Sequence, residues 1–148
     1  MLFGDLNESL VAVHVAATSR DEVIAYLLDL LDRTGKVVDL ELARRDIDAH
    51  ERNTSFGMQH GIAIPHAKTA SVTEMIAAVC VTDAPIDFAS VDGSMSQIFV
   101  MTLSPPDQVG PHLRFLSEIG RLLKSRKLRK RMMEADSSAE LLGILRGR

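Results

Sequence analysis

Two apolar runs limit this chain more than any other feature. Met75-Ile76-Ala77-Ala78-Val79-Cys80-Val81 and Gln97-Ile98-Phe99-Val100-Met101-Thr102-Leu103 are apolar at nearly every position rather than at alternate ones. Strands of that kind need cover on both faces. Between them, Asp83-Ala84-Pro85-Ile86-Asp87-Phe88 and Val91-Asp92-Gly93-Ser94 are turn-rich and too short for a helical crossover, so the two runs are expected to pair antiparallel. The cover has to come from helices.

Several helices are legible. Ser19-Arg20-Asp21-Glu22 has the form of a capping box, and Val23, Ile24, Leu27, Leu28 and Leu31 follow at helical spacing, ending near Gly35. A second helix is expected from Asp39 as cap, with Leu40, Ala43 and Ile47 on its inner face. Three residues further along the same stripe comes His50, whereas Arg52 is rotated away. Later helices are expected from about Pro111 with Leu113, Leu116, Ile119 and Leu123 inward, around Leu128 to Met133, and from the capping box Ser137-Ser138-Ala139-Glu140 through Leu145. An additional strand reads from Val11 to Ala16, where His14 shares its face with alanines as a structural or surface histidine. The predicted fold class is α/β, a mixed parallel and antiparallel β-sheet sandwiched between helical layers.

Composition agrees with one globular domain spanning residues 1–148: the hydrophobic fraction is 46%, the charged fraction 25% and the net charge -3. That charge offers no global attraction to nucleic acid or anionic lipid. The basic run Lys124, Arg126, Lys127, Arg129, Lys130, Arg131 has no interleaved aromatics and reads as a solvated helix face, so no nucleic acid is expected as a partner. Met58, Met101, Met132 and Met133 read as core or interface filler. The one cysteine, Cys80, lies inside an apolar run as an inert core thiol. The opening Met1-Leu2-Phe3-Gly4-Asp5-Leu6 has no basic region followed by an apolar stretch, and no segment approaches the ~18 apolar residues of a membrane span. A cytoplasmic location without membrane insertion is expected.

Four of the five histidines, His50, His60, His66 and His112, fall at or beside element ends, where side chains can converge. His66 stands out because Pro65 restricts the backbone before it and glycines at 57 and 61 allow a bulky anion near the chain. A zinc site would want a recognisable ligand spacing such as His-x3-His on a helix, and that spacing is absent, so neither metal nor other cofactor is expected. Phosphoryl transfer asks for less: a neutral imidazole nitrogen and donors for three oxygens. An ordinary histidine, with a pKa near ~6.5, is largely neutral at cytoplasmic pH. Donors are available in Thr54 and Ser55, loop N–H groups around Gly57, His112 at a helix start, and Arg52 or Arg114. A loop histidine exposed by accident remains the plain alternative.

Gly61-Ile62-Ala63-Ile64-Pro65-His66 with Lys68, then Ala84-Pro85-Ile86-Asp87-Phe88 with Asp92, then Ile98-Phe99 leading to Leu103 and Pro105, and finally His112-Leu113 with Leu116, form an ordered set of motifs. Over nearly the whole chain this set resembles the fructose- and mannitol-type enzyme IIA domains of the bacterial phosphoenolpyruvate-dependent sugar phosphotransferase system, including the stand-alone nitrogen-regulatory IIA proteins. The resemblance implies that His66 accepts a phosphoryl group from an HPr-like phosphocarrier protein and passes it to a IIB domain or holds it as a regulatory mark. It implies that His112 stabilises the site by hydrogen bonding. The stretch in hand carries neither a IIB-like nor a transporter domain, which points toward a regulatory IIA.

The sequence departs from the family pattern in four places. His50-Glu51 stands where an arginine usually precedes a glutamate, with Arg52 two residues on. Phe56 occupies a place where a small hydroxyl residue is common, Ala67 follows the active histidine in place of glycine, and His60 replaces an asparagine. His50 and Phe56 motivate an alternative, a IIA-fold regulatory binding module with weak or lost phosphotransfer.

Overall fold

A computed structural model describes residues 6–53, 55–108 and 110–147, the side chains of Asn53, Pro111 and His112 excepted. Its centre is the antiparallel pair expected from the two apolar runs. Strand β4 (Ile76–Ile86) pairs with β5 (Ser96–Ser104) in a register that sets Ile76 opposite Leu103 and Val81 opposite Ile98. Every residue of β4 from Ile76 to Thr82 is buried, and so is every residue of β5 except Gln97. Successive side chains point to opposite faces, so both faces of the pair are covered.

Strand β1 (Val11–Val15) joins β4 in parallel, and two short strands, β2 (Ile62–Ala63) and β3 (His66–Lys68), follow one another along the far side of β5, also in parallel. The sheet is mixed, as predicted. Helices α1 (Arg20–Asp32) and α2 (Leu40–Asn53) pack on β4 and β3; α3 (Gly110–Lys124) contacts α4 (Arg126–Glu134), which lies on β5, while α5 (Ser138–Leu145) lies on β1. Side-chain oxygens of Ser19, Asp39, Ser125 and Ser137 accept the first free N–H groups of α1, α2, α4 and α5. At α1 the reciprocal bond differs from a simple capping box: the Glu22 carboxylate accepts from the Thr18 N–H, one residue earlier.

Three sequence expectations need correction. The turn-rich stretch after Val81 continues as strand through Pro85 to Ile86, with a register shift before Ile86 pairs with Ser96. Proline is tolerated there because β1 stops pairing at Thr82, so that side of β4 has no ladder to break. Leu40 is exposed, leaving Ala43 and Ile47 to anchor α2. In α3 the inward stripe is Phe115, Ile119 and Leu122, whereas Leu113 and Leu116 are 60% and 46% exposed. Apolar residues cover more than half the circumference of α3, so periodicity admits two phases and the fit of Phe115 selects one.

Candidate functional site

His66 opens β3 immediately after Pro65, whose carbonyl accepts from the Thr102 N–H at 3.1 Å. The parallel register places Thr102 beside His66 and Ser104 beside Lys68, while Ala67 and Leu103 share the opposite, buried face. From the other side, the stripe of α2 brings His50 over β3. The Nε2 atoms of His50 and His66 lie 3.1 Å apart, with the rings edge-on at a centroid distance of 4.6 Å.

His66 Nδ1 lies 2.7 Å from the carbonyl oxygen of Ile64, which can only accept, so Nδ1 carries the proton and Nε2 the lone pair. Hence His50 Nε2 donates to His66 Nε2. Phe56, fully buried, stacks on His50 at 5.9 Å and tilts against His66 at 5.6 Å; Phe115 of α3 meets His66 at 5.9 Å. Beside these rings lies a cleft of about 350 Å³ whose lining includes His50, His66, Lys68, Asp46, Thr102 and Ser104. A nucleophilic nitrogen thus faces a cleft carrying one ammonium and two hydroxyls.

Other expected site residues are placed differently. Arg52 is exposed on α2, rotated away from the cleft. The hydroxyl of Ser55 donates toward the carbonyls of Phe88 and Ala89 at 2.8 and 3.0 Å and accepts from the Gly57 N–H, so it ties its loop to the 88–90 turn. Gly57 is packed tightly: a Cβ there would stand 2.5 Å from the Phe88 carbonyl oxygen. Thr54 lies outside the described residues, and the backbone of His112 stands in the first turn of α3. His60 is exposed in the left-handed region (φ 61°), its N–H held by Asp92, whose carboxyl is pushed down to about 2 chiefly by the hydroxyl and N–H of Ser94. Neighbouring Glu51 pairs with Arg20 of α1. Among the described residues no group of three or more His, Cys, Asp or Glu is arranged to hold a metal.

Asp46, Thr102 and Ser104 were missed by sequence reasoning. A signal exists for the last two, since hydroxyls at 102 and 104 interrupt an apolar strand at a spacing of two and must share one face. What the sequence lacks is which strand lies beside them.

The family model for the phosphoenolpyruvate-dependent sugar phosphotransferase system, EIIA 2, matches residues 6–147. The chain belongs to this family. Among its EIIA relatives, the fructose-specific EIIABC component of Bacillus subtilis is 30% identical over 95% of the chain, which spans 22% of that protein. The nitrogen regulatory protein of Pseudomonas aeruginosa is 29% identical, with 90% of this chain and 86% of that one covered. In three dimensions the EIIA fold is similar to the nitrogen regulatory protein IIA-Ntr of Neisseria meningitidis, with a TM-score of 0.88, 25% identity and 97% of both chains covered. No described helix is long and apolar enough to cross a membrane.

Proposed function

We propose that this EIIA domain is a phosphocarrier, with His66 as acceptor of a phosphoryl group from a phosphohistidine donor of the HPr type. The observation that carries this reading is the 2.7 Å contact between His66 Nδ1 and the Ile64 carbonyl, which fixes the tautomer and leaves Nε2 as a nucleophile at the cleft. As the Nε2 lone pair forms its bond to phosphorus, the donor's P–N bond breaks and its electron pair leaves with the donor nitrogen. Lys68 and the hydroxyls of Thr102 and Ser104 line the space into which the oxygens are brought. His112, in the first turn of the helix that also supplies Phe115, is assigned the stabilising role, and Ser55 and Gly57 act by holding the loop that carries Phe56.

Next, the group passes to a IIB-type partner or stays as a regulatory mark. The Bacillus relative is named an EIIABC component and the Pseudomonas relative a nitrogen regulatory protein, so both routes have precedent among relatives. Exposed Leu113 and Leu116 on α3 supply apolar surface for docking such partners. This relay would operate in the cytoplasm. Incubation with phosphoenolpyruvate, enzyme I and an HPr-type protein should place acid-labile phosphate on the wild type and none on His66→Ala. No label from any related donor would overturn the phosphocarrier reading and favour a binding module, which the cap of His50 on the His66 lone pair also suits.

A further inference from the structure

We propose that His50 is the proton carrier of the phosphoryl site: neutral at rest, it caps the His66 nucleophile, and on phosphoryl transfer it takes up a proton and binds the group as an imidazolium. This rests on the reading of His66 as acceptor.

The Nε2 atoms of His50 and His66 face each other at 3.1 Å. Because His66 Nδ1 is committed to the Ile64 carbonyl, the hydrogen between the rings belongs to His50, and the neutral tautomer of His50 keeps its lone pair on Nδ1. At rest, then, His50 contributes a donor without a charge. A phosphoryl group arriving on His66 Nε2 displaces that donor from nitrogen and presents it with oxygen at nearly the same place, since the phosphoryl oxygens surround the bond that has just formed. Phe56, stacked on the His50 ring at 23°, holds the ring plane while the N–H changes acceptor.

Charge decides the second half. The charged and titratable groups around His50 can be taken element by element. On α2, Asp46 lies one turn before it in the cleft lining, and Glu51 is paired to Arg20 of α1. From β3 come His66 and Lys68; β5 contributes the uncharged hydroxyls of Thr102 and Ser104; Phe56 from the loop is apolar, as is Phe115 of α3 against His66. At rest the charges of Asp46 and Lys68 in the cleft lining offset one another. A phosphoryl group brings about two negative charges on its oxygens and leaves the His66 ring, still protonated on Nδ1, with one positive charge, so the site gains one net negative charge. Among the described side chains, the His50 imidazole is the one placed to take up a charge beside those oxygens near neutral pH.

The balance is simple. The His66 Nε2–P bond forms as the donor P–N bond breaks, the electron pair leaves with the donor nitrogen, the His66 ring becomes a cation that keeps its Nδ1 proton on the Ile64 carbonyl, and His50 Nδ1 takes one proton from solvent. Nothing is oxidised or reduced. Because the phosphorylated state binds one proton more than the resting state, acid favours acceptance, and the linkage approaches tenfold per pH unit where uptake is complete.

The test uses the full chain loaded with phosphoramidate, with the His50 ring followed by nitrogen-15 resonances and the phosphate by phosphorus-31. We expect the His50 titration midpoint to rise by at least one pH unit when His66 carries phosphate. We also expect the ratio of wild-type to His50→Arg acceptance rates to rise several-fold from pH 8.5 to 7, since a guanidinium stays charged throughout. His50→Gln, which keeps a donor but cannot charge, should lose the same pH dependence, and the wild-type titration needs no variant to fold. An unmoved His50 midpoint on a phosphorylated His66, or parallel pH profiles for wild type and His50→Arg, would overturn the proposal while leaving the phosphocarrier standing. Absence of phosphate on His66 from both phosphoramidate and an HPr-type donor would overturn both.

Discussion

Lys68 shows how much one side chain can decide in this cleft. It shares the His66 face of β3, two residues on, and its ammonium is the fixed cation of the lining together with the hydroxyls of Thr102 and Ser104. A charge-assisted hydrogen bond contributes about 1.5 kcal/mol or more, so Lys68→Met should slow phosphoryl acceptance from phosphoramidate roughly tenfold. The His66 Nδ1 proton, which depends on Ile64 and not on Lys68, should stay in place by nitrogen-15 NMR. An unchanged rate would remove Lys68 from the site. Ser55 and Gly57 act differently. Their bonds and packing go to the turn at residues 88–90, so they govern the site through the position of Phe56 between them.

At the level of elements, β1 ends in a clip. His14 sits in the left-handed region (φ 52°) where the β1 register shifts, and its Nδ1 and Nε2 meet carboxylate oxygens of Asp83 and Asp136 at 2.8 and 3.2 Å. The hydrogen bond to Asp83 first, then that to Asp136, raises the imidazole above its ordinary value. A raised histidine stabilises the fold fully below the unfolded-state value near ~6.5 and loses that contribution as pH rises through the folded one. Asparagine tolerates the left-handed conformation, so His14→Asn isolates the charge. The urea midpoint of wild type should exceed that of His14→Asn most at pH 6, and the gap should narrow by pH 9. A gap independent of pH would show that the clip does not work through the proton.

Across the whole molecule, one continuous set of buried residues runs from Leu6 through the sheet to Leu145, and Cys80 lies near its middle, paired across the sheet with Phe99. Burial pushes its thiol up to about 12. The native protein should therefore react with a disulfide reagent only as fast as it opens, and the modification rate should rise with urea in step with global unfolding. Rapid labelling in native buffer would mean that β4 opens locally. Cys80→Ser should cost about 1–3 kcal/mol, because a buried hydroxyl would replace a thiol in apolar surroundings.

The central antiparallel pair, the caps of α1, α2 and α5 and the candidacy of His66 were all legible in the chain, because each follows from periodicity or from local chemistry within a few residues. The stripe Ala43, Ile47, His50 even aimed the second imidazole correctly toward the core side. Local rules stop where distant segments meet. The inward phase of α3 depended on Phe115 finding His66, and the extension of β4 past Pro85 depended on β1 ending at Thr82. The company of His66 depended on β3 lying in register with Thr102 and Ser104, some forty residues away in the chain. The same packing set two imidazole nitrogens 3.1 Å apart, a distance that no spacing of 16 residues specifies. Residue types and their periods determine which groups are available; the contacts made on folding determine which of them share a proton.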